Sequence, residues 1–233
     1  MSYVFALERI FYQDQCILDS QNFVLHKKKW TGLIGKSGEG KTTLLKVLVG
    51  ILPGLKKTHP LPSISYMPQF DLLLPWKTVL ENVTLGADLR KQSPNLKMAK
   101  EFLNEADLSS YENSYPYELS VGMRQRVALV RTLMEETEIV LMDEPFSAID
   151  IPTRHQLYQF AKKILRNKTI LFVSHDLNEV SALANYVVIL KGRPAQCQFI
   201  DHFNNTSDYS LSSKHNISWQ HIAPLWHALY EQN

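Results

Sequence analysis

A glycine-rich stretch near the N-terminus has the residue types and spacing of a phosphate-binding loop. Residues 35–42 fit the pattern G-x-x-x-x-G-K-[ST]. The glycines allow successive backbone N–H groups to converge on phosphate oxygens, and a helix that begins there adds partial positive charge. Lys41 can reach the β- and γ-phosphates, and the Thr42 hydroxyl can bind Mg²⁺. The stretch therefore predicts a nucleoside triphosphate site, formed by Gly35, Lys36, Ser37, Gly38, Glu39, Gly40, Lys41, Thr42 and Thr43.

Two adjacent carboxylates follow a strongly apolar run later in the chain. Residues 139–142 are typical of a buried strand, and Asp143 and Glu144 come directly after them. In a protein with a phosphate-binding loop, such a pair is expected beside Mg²⁺, with Asp143 holding the metal directly or through water and Glu144 polarising the attacking water. His175 ends the next apolar run and can hydrogen-bond a γ-phosphate, although a capping or core histidine is the alternative. Together these residues predict hydrolysis of the nucleotide.

The elements that must position these residues alternate between strands and helices. The strand Trp30–Ile34 precedes the phosphate-binding loop and a helix over 43–49 follows it. Strands over 3–9 and 21–25 are expected to pair antiparallel near an edge, with a turn over 11–14 between them. From Thr78, a predicted N-cap whose capping-box partner is Glu81, the pattern is helical to about residue 137. Further strands are predicted at 63–67, 138–142, 169–173 and 186–190, and further helices at 95–106, 123–134, 154–165 and 178–184.

Composition restricts the remaining possibilities. The 233 residues are 45% hydrophobic and 21% charged, and the net charge of +2 is too small to indicate binding to nucleic acid. Cys16 and Cys197 form neither a disulfide framework nor a metal-ligand spacing and fit a reducing cytoplasm. No apolar run reaches the ~20 residues that span a bilayer. We therefore expect any work at a membrane to require a partner protein.

Six short motifs occur in a fixed order between residues 3 and 195. They are GKSGEGKTT, MPQ, ELSVGMRQRVALVRTL, IVLMDEP, SAID and VSHD. This ordered set resembles the nucleotide-binding subunit of an ABC transporter. The resemblance implies an α/β fold: a P-loop NTPase core, RecA-like with a mixed sheet and flanking helices, plus an antiparallel β edge and an inserted α-helical subdomain. It also implies an ATPase domain over 1–200, with the helical subdomain at about 78–137 and a linker and C-terminal helical tail over 201–233.

The resemblance assigns roles to single residues. Gln69 would contact Mg²⁺ and the attacking water, and Tyr12, with Phe11 as the alternative, would stack on adenine. His175 would be the switch histidine and Asp150 would lie at an interface between two subunits. With Glu144, the implied catalytic residues are Gln69 and His175, and the implied Mg²⁺ ligands are Thr42, Gln69 and Asp143.

The signature motif is implied to act on the opposite subunit. Ser120 and Gly122 open a helix far along the chain from Lys41, so their anion site is useful only if two copies pair head to tail. Ser120, Val121, Gly122 and Met123 would then close on the γ-phosphate of the partner. The family usually has glycine where Val121 stands. Because a β-branched residue adopts positive φ only at a cost and is bulky near the partner's phosphate, we expect an active site whose turnover Val121 can slow.

The segment after Gln69 resembles that of importers of nitrate, sulfonate or taurine, and pyrimidine precursors of thiamine. Exposed Leu72, Leu74 and Trp76 would be costly in a monomer and are expected to form a docking surface for a membrane permease over Gln69–Val83. The resemblance thus implies a homodimer with ATP and Mg²⁺, peripheral on the cytoplasmic face of the inner membrane, acting with a permease and a periplasmic solute-binding protein and not with nucleic acid.

Other classes are weaker matches to the sequence. A soluble ABC ATPase of repair or translation usually carries paired cassettes or a long insertion, and a P-loop kinase or GTPase does not need the ELSVGMRQR helix. A regulatory subunit with weak hydrolysis is suggested only by Val121. For the C-terminal residues, a short helix packed on the domain's own surface is favoured over a regulatory or partner-docking tail.

Overall fold

The computed structural model describes residues 1–56 and 62–200. The described residues form two compact units, one made of residues 1–56 and 169–200 and the other of Pro62–Lys168. The predicted linker and helical tail over 201–233 lie outside the described residues. Among the described residues, every helix is too short or too polar to cross a bilayer.

The first unit contains an antiparallel strand pair and a larger mixed sheet. β1 (Ser2–Leu7) pairs with β4 (Gln21–His26), so the predicted antiparallel edge is confirmed. The larger sheet of this unit has the strand order β2-β3-β10-β9-β5-β8. Its strands are β2 (Ile10–Tyr12), β3 (Gln15–Leu18), β5 (Trp30–Ile34), β8 (Thr169–Val173), β9 (Tyr186–Gly192) and β10 (Ala195–Ile200).

The strand β5 lies between two parallel neighbours, β8 and β9. All five of its residues are buried, which explains why the sequence shows a continuous apolar run rather than an alternating one. The ring of Trp30, on β5, packs edge to face against the ring of Phe172, on β8, with centroids 5.9 Å apart. This central strand leads directly into the phosphate-binding loop.

Three strands of this sheet, β2, β3 and β10, were not predicted from the sequence. The expected turn over 11–14 is wrong for Phe11 and Tyr12, which end β2; the turn contains only Gln13, with φ of 52°, and Asp14. Strand β10 was not predicted at all, and it pairs antiparallel with β9 along its full length. Its alternating glutamines give a weak apolar signal, and pairing with a distant strand outweighs that local preference.

Helix α1 (Lys41–Leu48) follows the loop and ends in a glycine turn. Gly50 has φ of 81°, and its N–H donates to Val47 O at 3.0 Å. The N–H of Ile51 donates to Lys46 O at 2.9 Å. These two bonds are those of a Schellman motif, in which glycine provides the left-handed residue that stops the helix.

The second unit contains a parallel strand pair, β6 (Ile64–Met67) and β7 (Ile139–Asp143). Four helices lie between these strands in the chain, and one follows β7. Two 3-10 turns, Ser109–Tyr111 and Pro116–Glu118, precede the longest inserted helix. The helices are α2 (Val79–Val83), α3 (Leu85–Leu89), α4 (Leu96–Glu105), α5 (Val121–Leu133) and α6 (Ile151–Ile164). A further helix, α7 (Leu177–Leu183), belongs to the first unit.

Side-chain caps set the starts of these helices. The predicted capping box of Thr78 and Glu81 is confirmed, because each side chain accepts a hydrogen bond from the other residue's backbone N–H. Helix α6 begins at Ile151, three residues before the predicted Arg154, because Asp150 caps it by accepting from Thr153 N at 3.0 Å. A proline in the first helical turn, Pro152 here, is compatible with that start.

Candidate active-site residues

The phosphate-binding loop adopts a conformation that requires glycine at one position before α1. Gly40 has φ of 92°, and a Cβ added there would lie 2.9 Å from Ile17 Cγ2. Any other residue would therefore meet both backbone strain and a steric conflict. Because α1 begins at the next residue, its unpaired N–H groups face the loop and favour an anion.

Lys41 is buried with its ammonium turned back onto the loop. Its Nζ donates to Gly35 O at 2.8 Å and to Lys36 O at 2.9 Å. A buried cation requires such partners. A phosphate oxygen is a stronger acceptor than a neutral carbonyl because it carries charge, so this ammonium can exchange carbonyls for phosphate.

The loop already carries an anionic group of the protein itself. The Glu39 carboxylate accepts a hydrogen bond from Lys36 N, and Glu39 N donates to Lys36 O at 3.3 Å. A Cβ on Gly35 would lie 2.6 Å from Leu190 O and 2.8 Å from Glu39 Oε2. The loop thus folds closely on itself, and one of its N–H groups binds an oxygen of a carboxylate.

Two aromatic side chains at the end of β2 are exposed in the first unit. Tyr12 is 71% exposed and Phe11 is 58% exposed. Neither ring is therefore buried against the end of the sheet. Either ring is available to stack on a planar base, so the choice between them stays open.

His175 lies just beyond β8, also in the first unit, and its side chain is exposed. The preceding Ser174 accepts from Asp176 N at 3.0 Å, and Asp176 caps α7 by accepting from Asn178 N at 2.9 Å. The capping function predicted as an alternative for His175 therefore belongs to Asp176.

The paired carboxylates lie at the end of β7 in the second unit. Asp143 is only 1% exposed, and Glu144 follows it with φ of 51°. A non-glycine residue in this left-handed region costs about 1 kcal/mol, and such strain is concentrated at functional positions. The structure therefore turns the Glu144 side chain away from the direction that a continued strand would give it.

Tyr66, on the neighbouring strand β6, was not singled out from the sequence. Its hydroxyl is buried and has no hydrogen-bond partner among the described residues. Burial, followed by the negative charge of Asp143, raises the pKa of Tyr66 to about 12. The phenol therefore remains protonated at neutral pH.

The predicted Mg²⁺ ligands supply three kinds of oxygen donor. Thr42 is in the first unit, whereas Asp143 and the exposed Gln69 are in the second. Within the described ranges, no three His, Cys, Asp and Glu side chains are grouped to hold a metal ion. A hydroxyl, an amide and one carboxylate fit Mg²⁺, which is commonly held by one or two carboxylates together with substrate phosphates.

The signature residues form the first turn of α5. Ser120 is the N-cap, with Oγ accepting from Met123 N at 3.2 Å. Val121 is the first helical residue and is 58% exposed. The expectation that valine here would require positive φ is wrong, because Val121 has right-handed helical geometry and is absent from the positive-φ residues. Only its bulk distinguishes it from glycine.

At Gly122 a side chain is limited by the space available rather than by the backbone conformation. A Cβ added there would lie 3.0 Å from Ala148 O. The signature turn therefore approaches the loop that contains Asp150 within the same unit. Backbone bonding to Thr153 lowers the pKa of Asp150, whose side chain also caps α6. The sequence did not predict this capping role.

The segment after Gln69 exposes a group of large apolar side chains. Leu72 and Trp76 are exposed as expected, whereas Leu74 is only partly so. Phe70 was not named from the sequence and is also exposed. The backbone beneath them is fixed: Arg131 donates to the carbonyls of Asp71 and Leu72.

Comparison with known proteins identifies relatives along most of the chain. The family model described as ABC transporter matches residues 18–147. An uncharacterised ABC transporter ATP-binding protein of Methanocaldococcus jannaschii is 39% identical over 196 residues, covering 78% of this chain and 73% of that protein. The aliphatic sulfonates import ATP-binding protein SsuB of Bacillus cereus (strain ZK / E33L) is 36% identical over 217 residues, covering 88% of this chain and 85% of that protein. The dimeric post-hydrolysis structure of the ATP-binding cassette MJ0796 bound to ADP and Pi has a TM-score of 0.70 at 25% identity, covering 82% of this chain and 94% of that one.

Proposed function

This chain belongs to the ABC transporter family of ATP-binding proteins, and we propose that it is the ATP-hydrolysing subunit of an importer for a small polar solute. The observation that carries the proposal is the loop before α1, where Gly40 has positive φ and the Lys41 ammonium lies against loop carbonyls. The chain is an ABC ATPase and binds ATP through this fold. The importer class rests on the similarity to the sulfonate import protein.

Hydrolysis is assigned to residues from both units. Lys41 and the loop N–H groups bind the phosphates, and Tyr12 or Phe11 stacks on adenine. Glu144 acts as the general base that polarises water for attack on the γ-phosphate, and His175 donates a hydrogen bond to that phosphate. The left-handed backbone of Glu144 supports this role, since strain at one residue is consistent with a fixed catalytic orientation.

Mg²⁺ is proposed to be held by Thr42, Gln69 and Asp143. When bound, the ion neutralises developing charge on the phosphate oxygens. Asp143 is suited to this position because a buried carboxylate is stabilised by a cation.

The signature residues are proposed to bind the nucleotide of a second copy of this chain. Ser120 and Gly122 lie in the first turn of a 13-residue helix whose positive end favours phosphate. In this arrangement Val121 and Met123 also face the partner's nucleotide, and Asp150 lies at the interface between the copies. ATP would join the two subunits and hydrolysis would release them.

The apolar side chains of the Gln69–Val83 segment are proposed to contact an integral-membrane permease. Phe70, Leu72 and Trp76 are all exposed on a segment fixed by hydrogen bonds, and exposed apolar groups of this kind mark contact surfaces. The subunit would then lie on the cytoplasmic face of the inner membrane, with a periplasmic solute-binding protein acting on the other side. No nucleic-acid partner is proposed.

A regulatory subunit with weak hydrolysis was the alternative, and it depended on Val121. Because Val121 is helical and exposed, it imposes no backbone strain on the signature turn. The alternative therefore rests only on the bulk of the Val121 side chain beside the partner's phosphate.

The proposal is tested by Glu144→Gln. Removing the base should reduce turnover by about 100- to 10,000-fold, while ATP binding persists and ATP traps a dimer detectable by size-exclusion chromatography. Glu101→Gln, at an exposed position of α4, is the matched control and should leave turnover unchanged. Undiminished hydrolysis by Glu144→Gln would overturn the assignment of the base, and an inactive unmodified chain would overturn the ATPase proposal.

A further inference from the structure

Gln125 is a buried polar residue of helix α5, five positions after Ser120, and no role has yet been assigned to it. Its side chain is only 5% exposed. It lies just before the apolar residues 127–130, all of which are buried. A buried amide must find hydrogen-bond partners, so its contacts indicate what it does.

The Gln125 amide hydrogen-bonds to the turn that follows Asp143. Nε2 donates to Glu144 O at 2.9 Å and to Ser147 Oγ at 3.3 Å. Oε1 accepts from Ala148 N at 2.8 Å. One side chain thus bonds both ends of a tight turn.

The turn itself is the one that holds Glu144 in its left-handed conformation. The Ser147 hydroxyl and backbone N–H also donate to Glu144 O, at 3.1 Å and 3.3 Å. A residue with φ of 51° stays in that region only if its surroundings impose it. The bond from Gln125 on helix α5 to Glu144 O adds to this restraint.

We infer that Gln125 is a positioning residue, which fixes Glu144 in its left-handed conformation and ties it to the signature helix of the same subunit. This inference rests on the proposed function, in which Glu144 acts on the subunit's own ATP and Ser120 on the partner's. Gly122 reinforces the connection, because its Cα lies close enough to Ala148 O that a Cβ would be 3.0 Å away. When α5 closes on the ATP of the partner subunit, this connection thereby moves Glu144, the base that acts on the subunit's own ATP.

The decisive variant is Gln125→Glu, which keeps the shape of the side chain and removes its donor. A carboxylate oxygen would then face Glu144 O, and because two acceptor oxygens repel each other, the turn should shift. We expect kcat for ATP hydrolysis to fall by about 10- to 100-fold and KM for ATP to change by less than about twofold, since the phosphate-binding loop is unaltered.

A pH profile separates positioning from a general loss of structure. Protonation of the introduced carboxyl restores an O–H donor toward Glu144 O, and the carbonyl opposite favours that protonated form. The ratio of wild-type to Gln125→Glu kcat should therefore decrease from about pH 8 to about pH 6. Gln125→Met, which has no titratable group, should lose activity to the same extent at both pH values.

Thr132→Val is the matched control for stability. Thr132 is buried on the same helix, two turns on, and donates only within that helix, to Ala128 O at 2.9 Å. The control should lower the melting temperature and leave kcat unchanged.

Each outcome decides the inference. Wild-type kcat in Gln125→Glu, or a loss of kcat that does not change between about pH 8 and about pH 6, would overturn it. If neither Gln125 variant folds, hydrogen exchange of the unmodified protein decides, since the Ala148 amide must be strongly protected if Gln125 binds it. A wild-type chain without ATPase activity would instead overturn the proposed function, and protection of Ala148 would still report on the contact.

Discussion

The two glycines that flank α1 provide a test of why the phosphate-binding loop needs glycine at position 40. Gly40, before the helix, has φ of 92°, and Gly50, after it, has φ of 81°. An added Cβ on Gly40 would lie 2.9 Å from Ile17 Cγ2, whereas one on Gly50 would meet no atom within 4 Å. Alanine at either position is destabilised by the left-handed backbone, but only at Gly40 does its Cβ also crowd a neighbouring side chain.

The magnitudes follow from that difference. Left-handed backbone costs a non-glycine residue about 1–2 kcal/mol, so Gly50→Ala should lower the free energy of unfolding by about 1 kcal/mol. Overpacking adds about 1–3 kcal/mol, and Gly40→Ala should therefore lose about 2–4 kcal/mol. Removing the obstructing methyl with Ile17→Ala in the Gly40→Ala background should recover part of the excess, as coupled neighbours do.

Urea denaturation of the three variants and wild type, with the slope m unchanged, measures these losses. Adding ATP should stabilise wild type and Gly50→Ala equally by linkage, and Gly40→Ala less, because only that variant distorts the phosphate-binding loop. Equal losses for the two glycine variants would refute the steric argument. Equal stabilisation by ATP would refute the placement of Gly40 in the nucleotide site.

Two further predictions concern the second unit. Val121→Gly should preserve or raise the steady-state kcat for ATP hydrolysis, since Val121 is helical and exposed. A fall in kcat would instead show that valine is an adaptation of this signature. Because hydrogen bonding to Thr153 lowers the pKa of Asp150 in the folded protein, its contribution to stability is present at neutral pH and is lost as the pH falls from the ordinary aspartate pKa through the lowered pKa of the folded state. The melting temperature should therefore fall less steeply between about pH 7 and about pH 3 in Asp150→Asn than in wild type, because the amide still caps α6 without titrating. An equally steep fall in the two proteins would show that the Asp150 cap is not the source of this pH dependence.

Much of the fold was predictable because the signals are local. The apolar runs of β5, β7 and β8 are continuous, so their strands were assigned correctly to within a residue. The capping box at Thr78 was also correct, since both partners lie within one helical turn. The roles of the site residues stay predictions, as does the division into an ATPase domain and a tail.

Other features could not be predicted because they depend on partners distant in sequence. Strand β10 has alternating glutamines and is defined by pairing with β9. The start of α6 depended on recognising Asp150 as a cap rather than only as an interface residue. A polar residue two positions before a buried apolar stretch was the available signal for Gln125, but that signal does not identify its hydrogen-bond partner.

The sequence by itself determined that this chain carries a phosphate-binding loop and a strand ending in two carboxylates, because glycine spacing and apolar runs encode backbone conformation locally. Only the tertiary structure decided that Val121 is an unstrained helical residue, that Glu144 is left-handed, and that the amide of Gln125 binds the turn after it. The contacts of Gln125 are hydrogen bonds between elements about twenty residues apart. Such bonds form only when packing excludes water and leaves a buried polar group no other partner.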